Sequence, residues 1–288
     1  MNPVSQAYAS TSPFACKVTK SSCWTSRGRI AYDIAGEGPC VVLLHPIGID
    51  RSWWDSFATA WSPVRTLIAI DMLGHGESEL LTSSITLAEH AHCVWEVLDA
   101  QGIGAASFLG VSMGGMVAQH VAIQRPQAVR ALIACATAAT FPDDARTTIR
   151  ARGNTGVAGK VADMAPETLR RWFSDHAPAQ LVARCETALL QQDWYSWSVN
   201  WQAISAVETI QGLSAINVPT LAVACAADAS LPIAVTRRIA EVARGEFIWI
   251  EGASHFGIFE TPARFIDPID AFLRRHERQA DRSSANGS

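Results

Sequence analysis

Continuous apolar runs alternate along the chain with stretches whose apolar residues recur at helical spacing. This alternation predicts a sheet of mostly parallel strands with helices between them. Continuous apolar runs are typical of strands that are buried on both faces. Such runs occupy residues 40–44, 66–70, 104–108, 129–135 and 218–225, and the last strand is predicted at residues 246–250. The stretches 16–24 and 28–34 predict an antiparallel pair at the start, so eight strands are expected in all.

Apolar residues between these strands recur at the spacing of an α-helix. In residues 86–100, Leu87, Val94 and Leu98 share one face, which predicts an amphipathic helix packed on the sheet. Other helices are expected around Trp53 and at residues 116–123, 233–243 and 263–275. The polar ends of the chain, residues 1–13 and the tail from about Glu277, are expected to fray.

An insertion interrupts this alternation between residues 139 and 206. Short helical pieces, divided by glycine and proline, replace the strands there. Because the insertion follows a parallel strand, we expect it to lie above the carboxyl edge of the sheet as a cap. The chain therefore divides into a core domain, residues 1–138 and 207–288, and a helical cap, residues 139–206.

The sequence Gly110-Val111-Ser112-Met113-Gly114 lies where a strand is predicted to turn into a helix. Glycine on both sides allows a turn so sharp that the serine hydroxyl stands above the sheet. The helix begins directly after this serine, so free backbone N–H groups and the positive end of the helix dipole lie beside it. Ser112 is therefore the candidate nucleophile, and a glycine-rich packing turn is the alternative interpretation.

A serine hydroxyl needs a neighbouring base, and that base needs an acid to hold it in one tautomer. Among the eight histidines, His255 follows the last predicted strand and is the candidate base. His45 is the alternative, although its position suits it better to brace its own loop. Asp228 follows the preceding strand and is the candidate acid, with Asp143 or Asp144 as the alternative. The chain order Ser, Asp, His is the one associated with this type of turn.

Two loops at the same edge of the predicted sheet complete the candidate site. The loop that contains Ile47 follows the strand 40–44, so the N–H groups of Ile47 and Met113 could together hold an oxyanion. In the second loop, residues 71–78, Asp71 and His75 are expected to hold the turn by hydrogen bonds rather than to perform chemistry.

Aromatic residues predict an apolar pocket above Ser112. In the cap, Trp194, Trp197 and Trp201 fall on one helical face, where they either attach the cap to the core or line the pocket. The candidate pocket residues are His45, Trp172, Trp194, Trp197, Trp201 and Phe256. The cap carries seven basic and seven acidic residues, so its charges are interpreted as solvated faces and single out no arginine.

Composition narrows the class of protein. Hydrophobic residues make up 49% of the 288 residues, which is enough for a large core. The 23 basic and 27 acidic residues give a net charge of −4 without a basic block, so no nucleic-acid partner is expected. Seven scattered cysteines predict buried thiols rather than disulfides or a metal site. With no leader and no apolar run of membrane-spanning length, a cytoplasmic monomer or homodimer without a membrane partner is expected.

Together, these motifs resemble the α/β-hydrolase superfamily across nearly the whole chain. Residues 110–119, 136–139 and 152–154 are similar to 3-oxoadipate enol-lactonases and neighbouring esterases. The resemblance implies an α/β-hydrolase fold, with a mostly parallel eight-stranded sheet flanked by helices and a cap inserted after the sixth strand. An enol-lactonase would also need a cation for the carboxylate of its substrate, whereas the aromatic cap favours a less polar one.

The expected activity is hydrolysis of a carboxylic ester or lactone of a small, largely apolar molecule through an acyl-enzyme. Ser112, His255 and Asp228 would carry it, with no metal and no organic cofactor. Three alternatives stay open: hydrolysis of a carbon–carbon bond in a ring-cleavage diketone, acyl transfer to an acceptor other than water, and a catalytically weak member that only binds a small molecule.

Overall fold

The computed structural model of this chain describes residues 18–154 and 161–285. The strands in these residues are β1 (Val18–Thr25), β2 (Gly28–Ala35), β3 (Cys40–Leu44), β4 (Thr66–Ile70), β5 (Ala106–Val111), β6 (Val129–Cys135), β7 (Thr220–Cys225) and β8 (Glu246–Ile250). They form a single eight-stranded sheet in the order β1-β2-β4-β3-β5-β6-β7-β8. Every predicted strand is therefore present within the described residues, with ends shifted by up to three residues.

The direction of the strands brings several loops to one edge of the sheet. β2 runs antiparallel to both of its neighbours, β1 and β4. All the other neighbouring pairs are parallel. Because parallel strands end at the same edge, the segments that follow β3, β5, β7 and β8 lie along that edge, where open α/β sheets bind ligands. The predicted fold class, a mostly parallel eight-stranded sheet with flanking helices, is confirmed.

The α-helices of the described residues lie mainly between the strands. They are α1 (Asp55–Trp61), α2 (Leu87–Ala100), α3 (Met113–Gln124), α4 (Asp143–Ala151), α5 (Ala165–Trp172), α6 (Ala179–Leu190), α7 (Trp194–Ser205), α8 (Ile210–Ala215), α9 (Ile233–Ala243), α10 (Gly257–Glu260) and α11 (Ala263–Ala285). α2, α3, α8 and α9 pack one against the next, while α3 and α11 contact β6. None of the described helices has both the length and the apolar character needed to cross a membrane.

Helix α2 shows how local sequence sets an element boundary. The Thr86 hydroxyl accepts from the Glu89 N–H at 3.1 Å, and the Glu89 carboxylate accepts from the Thr86 N–H at 2.8 Å. This reciprocal pair satisfies backbone donors that the first turn of a helix leaves free. The helix predicted over residues 86–100 is confirmed, except that Thr86 is its cap and Leu87 is its first residue.

The prediction that the chain frays from Glu277 is wrong. Helix α11 continues to Ala285, and its middle is attached to the core by Arg65, which is only 2% exposed. The Arg65 guanidinium donates to Asp270 at 2.5 Å and to Glu277 at 2.7 Å. These carboxylates are seven residues apart, so they share one helix face and one partner. The other end predicted to fray, residues 1–13, lies outside the described residues.

The helices between β6 and β7 form two packed pairs and a connection to the core. α4 packs against α7, and α5 packs against α6. Asn200 of α7 joins them to the core, since it accepts from His90 Nε2 at 2.9 Å and donates to the Leu73 carbonyl at 3.4 Å. α8 instead packs on α3 and α9 of the core. The domain boundaries at residues 138/139 and 206/207 remain a prediction, with which this packing is compatible.

The six cysteines among the described residues are free thiols. All but Cys23 are buried, as their positions in apolar runs predict. Burial raises the pKa of the Cys40 thiol to about 12, since the thiolate would lose its hydration there. Cys16 lies outside the described residues.

Candidate active site

Ser112 occupies a sharp turn between β5 and α3. Its backbone has φ 53° and ψ −117°, a conformation that residues with a Cβ rarely adopt. The Ser112 N–H donates to the Cys135 carbonyl at 3.0 Å, and the Ser112 carbonyl accepts from the Met116 N–H at 3.1 Å. The Thr137 hydroxyl donates to the same carbonyl at 2.6 Å. The turn is therefore held from two neighbouring segments, which maintain its strained backbone.

The glycines around Ser112 are required by close packing of the backbone. A Cβ on Gly110 would lie 2.1 Å from the Gly114 carbonyl oxygen. A Cβ on Gly114 would lie 2.2 Å from the Leu44 carbonyl oxygen, at the end of β3. Because real Cβ atoms do not come this close, both positions need glycine. The second contact also brings the start of α3 against the loop that follows β3.

His255 and Asp228 form a buried hydrogen-bonded pair. The distance between His255 Nδ1 and Asp228 Oδ2 is 2.7 Å, and their side chains are 4% and 2% exposed. The other carboxylate oxygen, Oδ1, accepts from the N–H groups of Ser230 at 2.6 Å and Leu231 at 2.9 Å. A carboxylate held in this way accepts from Nδ1–H, which leaves His255 Nε2 as the acceptor nitrogen of the ring.

Ser112 and His255 line the same narrow cavity. The residues around it are Ile47, Ser112, Met116, Phe141, Ile149, Arg152, Trp172, Trp201, Ile204, Ser230, Leu231 and His255. The hydrogen bonds of the described residues do not include one between the Ser112 hydroxyl and His255. Such bonds are often long in an unliganded enzyme and tighten when the substrate binds.

The alternative base and the alternative acids lie elsewhere. His45 is fully buried, and both of its ring nitrogens have partners: Nδ1 contacts the Pro46 carbonyl at 2.7 Å, and Nε2 accepts from the Met72 N–H at 3.0 Å. Burial lowers the pKa of His45, because the protonated ring would lose its hydration. His45 thus braces two loops. Asp143 and Asp144 are exposed in the first turn of α4, and neither contacts His255.

The two candidate oxyanion donors lie on adjoining segments. Ile47 follows β3, is buried and lines the cavity. Met113 is the first residue of α3, where a backbone N–H has no acceptor within its own helix. The close approach of Gly114 to the carbonyls of Leu44 and His45 places these segments side by side. Their assignment as an oxyanion hole remains a prediction.

The loop of residues 71–78 is organised by a buried arginine that the sequence analysis missed. The Asp71 carboxylate accepts from the Arg51 N–H at 2.7 Å, from the Glu77 N–H at 2.8 Å and from the Arg51 guanidinium. Arg51 also donates to Asp33 at 2.9 Å. Asp71 therefore holds its loop by hydrogen bonds, in agreement with the structural role predicted for it. No pattern in the sequence distinguished Arg51 from the charged residues that are expected on the surface.

The predicted pocket residues occupy different places. Trp172 and Trp201 line the cavity. His45, Trp194, Trp197 and Phe256 are not among its lining residues, and the pocket prediction is corrected accordingly. Trp194 is 51% exposed, and Trp197 is buried with its indole N–H donating to the Arg152 carbonyl at 3.1 Å.

Phe256 lies behind the lining, with its ring stacked on that of Trp172 at a centroid distance of 4.6 Å. His45 does not line the cavity, and its ring nitrogens contact the Pro46 carbonyl and the Met72 N–H. Helical spacing identifies residues that share a face, but it does not distinguish those that contact the cavity from those that contact other side chains.

Arg152 is a further lining residue that the sequence analysis did not single out. Its guanidinium carbon lies 5.5 Å from the centre of the Trp201 ring, a cation–π arrangement. Burial, and to a lesser extent Arg171, lowers the pKa of Arg152. In the sequence, Arg152 belongs to the stretch 152–154 that resembles enol-lactonases, but it was counted among seven basic residues of a charge-balanced insertion and was not selected as a site residue.

The arrangement is suited to nucleophilic chemistry. A half-buried hydroxyl and an imidazole whose position is fixed by a carboxylate meet in one cavity with a largely apolar wall. Among the described residues, no group of three or more His, Cys, Asp or Glu side chains is arranged to hold a metal ion.

Three buried histidines should make stability depend on pH. Burial lowers the pKa of His45 and His75, and it lowers that of His90 to about 4. The unfolded chain takes up these protons below a pH of about 6.5, whereas the folded protein stays neutral to lower pH. We therefore expect the free energy of unfolding to fall as the pH decreases below about 6.5, by roughly 1.4 kcal/mol per pH unit for each neutral histidine. Urea denaturation at several pH values measures this slope.

The variant His90→Gln isolates one of these histidines. Glutamine can still donate to Asn200 but takes up no proton in this range. The pH slope should therefore decrease by the contribution of one histidine. An unchanged slope in His90→Gln would show that protonation of the unfolded chain at residue 90 is not coupled to folding.

Comparison with known proteins supports the resemblance to α/β-hydrolases that the sequence motifs indicate. A family model for the alpha/beta hydrolase fold matches residues 39–262. The 3-oxoadipate enol-lactonase 1 of Acinetobacter baylyi is 26% identical over 240 residues, which cover 82% of this chain and 89% of the relative. The pimeloyl-(acyl-carrier protein) methyl ester esterase of Klebsiella pneumoniae is 26% identical over 257 residues, covering 85% of this chain and 98% of the relative.

A solved structure agrees closely in fold. The crystal structure of a hydrolase from Pseudomonas aeruginosa has a TM-score of 0.81 and 27% identity, and the match covers 88% of this chain and 98% of that one. The resemblance drawn from the motifs, to α/β-hydrolases and among them to 3-oxoadipate enol-lactonases, is confirmed by these matches.

Proposed function

The chain belongs to the α/β-hydrolase family, and from this premise we propose that it is a serine hydrolase acting on a carboxylic ester or lactone through an acyl-enzyme. The observation that carries the proposal is the hydrogen-bonded His255–Asp228 pair in the same cavity as Ser112, which lies in a strained turn. Relatives named as an enol-lactonase and as a methyl ester esterase support this choice of bond.

In the first half of the reaction, Ser112 Oγ forms a bond to the carbonyl carbon while His255 Nε2 takes its proton. The N–H groups of Ile47 and Met113 hold the oxyanion that results. When the carbonyl re-forms, the bond to the leaving oxygen breaks, and His255 gives that oxygen the proton. With a lactone, the leaving hydroxyl stays attached to the acyl group.

In the second half, water replaces the serine. His255 takes a proton from the water as its oxygen bonds to the acyl carbon, and it then returns a proton to Ser112 Oγ as the acid leaves. Asp228 stabilises the imidazolium in both halves and keeps Nδ1 protonated. The apolar wall, which includes Met116, Phe141 and Ile204, suits a small molecule with a largely apolar body.

Covalent labelling tests this proposal directly. The folded protein is treated with a fluorophosphonate, digested and mapped by mass spectrometry. We expect one phosphonate on the peptide that contains Ser112 and none on that peptide in Ser112→Ala. A folded protein that remains unlabelled at Ser112 and hydrolyses neither esters nor lactones would overturn the proposal.

A further inference from the structure

The two residues next to His255 in the chain are each held by a buried contact. The Phe256 N–H donates to the Trp172 carbonyl at 2.8 Å, and the rings of these two residues stack on each other. On the other side of His255, the Ser254 hydroxyl donates to the Glu260 carboxylate. Ser254 is 3% exposed and Phe256 is fully buried, so the loop that carries the candidate base is fixed on both sides of it.

Glu260, the last residue of α10, joins Ser254 to the chain that follows α5. Its Oε1 accepts from the Ser254 hydroxyl and also from the Ser174 N–H at 3.0 Å. Its Oε2 accepts from the Ser174 hydroxyl at 2.5 Å. Hydrogen bonds to a charged acceptor are about twice as strong as those between neutral groups. One carboxylate therefore connects the His255 loop to the segment that begins at Trp172 and includes Ser174.

The loops of the His255–Asp228 pair are also joined to each other. The Ala227 N–H, next to Asp228, donates to the Ala253 carbonyl at 2.8 Å. The pair can therefore be displaced as a unit, whereas Ser112 lies in a separate turn between β5 and α3. In an active site, a misplacement of about 1 Å can lower the rate about a hundredfold. The contacts that hold the His255 loop in place thus matter for proton transfer.

We propose that Glu260 is a positioning residue for His255. It holds the loop of the base against the segment after α5 and so keeps His255 Nε2 at the distance from Ser112 that proton transfer requires. Glu260 does not line the cavity, so it acts through the loop and not on the substrate. The inference rests on the proposed function, in which His255 takes the proton of Ser112 and gives it to the leaving oxygen.

Two substitutions of Glu260 test the proposal. Alanine removes the acceptor of all three donors, so Glu260→Ala should lower kcat for a methyl ester by about 10- to 100-fold with little change in KM. Glutamine can keep the contacts, because its oxygen replaces Oε1 and its NH₂ group can donate to the Ser174 hydroxyl. Glu260→Gln should therefore retain kcat within about fivefold. An equal loss in both variants would show that the charge matters and not the three contacts, which would overturn the proposal.

A pair of esters with the same acyl group separates displacement of the base from a general loss of structure. The leaving oxygen of a methyl ester needs a proton from His255, whereas nitrophenolate leaves without one. In Glu260→Ala, kcat/KM for the methyl ester should therefore fall by about 3- to 10-fold more than kcat/KM for the nitrophenyl ester. A partly unfolded protein would lose both activities equally, so equal losses would overturn the positioning role.

Glu251→Ala is the matched control. Glu251 is an exposed glutamate that directly follows β8, four residues before His255. Its backbone carbonyl accepts from Arg264 at 2.7 Å, and an alanine retains that contact. The variant should keep kcat and the ratio between the two esters within about twofold of the wild type.

Chemical modification tests the position of the base without turnover. Diethyl pyrocarbonate reacts with neutral imidazole, and peptide mass spectrometry compares its rate at His255, which is 3% exposed, with that at the exposed His92. The relative rate at His255 should rise at least threefold in Glu260→Ala and stay unchanged in Glu251→Ala. An unchanged rate in Glu260→Ala would overturn the positioning role and leave the serine hydrolase standing. Absence of phosphonate labelling at Ser112 would instead overturn the hydrolase.

Discussion

Replacing Ser112 with alanine should lower kcat/KM for ester hydrolysis by about 10⁴- to 10⁶-fold. The change removes only the attacking oxygen and leaves the cavity and the His255–Asp228 pair in place. Any residual rate then comes from binding and from the oxyanion donors acting on direct attack by water. Steady-state kinetics with the best methyl ester measure the loss, and circular dichroism shows whether the variant is folded. Activity within tenfold of the wild type in a folded variant would exclude Ser112 as the nucleophile.

The variant Ser112→Gly is the matched control for the turn itself. It lacks the hydroxyl, as alanine does, but it also lacks the Cβ that makes a φ of 53° and a ψ of −117° costly. Ser112→Gly should therefore be as inactive as Ser112→Ala but more stable by about 1 kcal/mol in urea denaturation. A glycine variant that is less stable than the alanine variant would show that this backbone is not strained.

The second large effect is expected for Asp228→Asn, which should lower kcat by roughly 10²- to 10⁴-fold. The N–H groups of Ser230 and Leu231 donate to Oδ1, so the asparagine oxygen would stay there and its NH₂ group would face His255 Nδ1. Nδ1 would then accept, and the ring proton would move to Nε2. An imidazole in this tautomer cannot take the proton of Ser112.

Kinetics and a second variant test this argument. Asp144→Asn makes the same chemical change at an exposed carboxylate of α4 and should leave kcat within about twofold, since exposed substitutions away from the site have small effects. Similar losses in both variants would show that the effect at Asp228 is a general loss of negative charge. Full activity of Asp228→Asn would remove Asp228 from the proposed mechanism.

Much of the candidate site follows from local sequence. The glycines that flank Ser112 indicated a sharp turn, and the atoms that crowd Gly110 and Gly114 explain why no larger residue fits there. Asp228 and His255 were each selected because they follow a strand predicted to be parallel. Parallel strands end at one edge, so their loops meet, and the structure brings these two side chains within 2.7 Å of each other.

Other features could not be read from local patterns. The helical spacing of Trp194, Trp197 and Trp201 indicated a shared face, yet only Trp201 lines the cavity. Arg152 was counted among seven basic residues of a charge-balanced insertion, and the structure places it in the cavity wall. The polar residues after Glu277 suggested fraying, whereas Arg65, more than 200 residues earlier, binds Glu277 and holds that part of the helix.

The sequence by itself determined the strands, the sharp turn at Ser112 and the loops that carry the polar residues. These depend on the size and polarity of near neighbours and on the rule that parallel strands share an edge. Only the tertiary structure decided which side chains face the cavity and which contacts hold the loop that carries His255. Segments that are distant along the chain enclose a cavity together, so the surroundings of Arg152 depend on all of them at once.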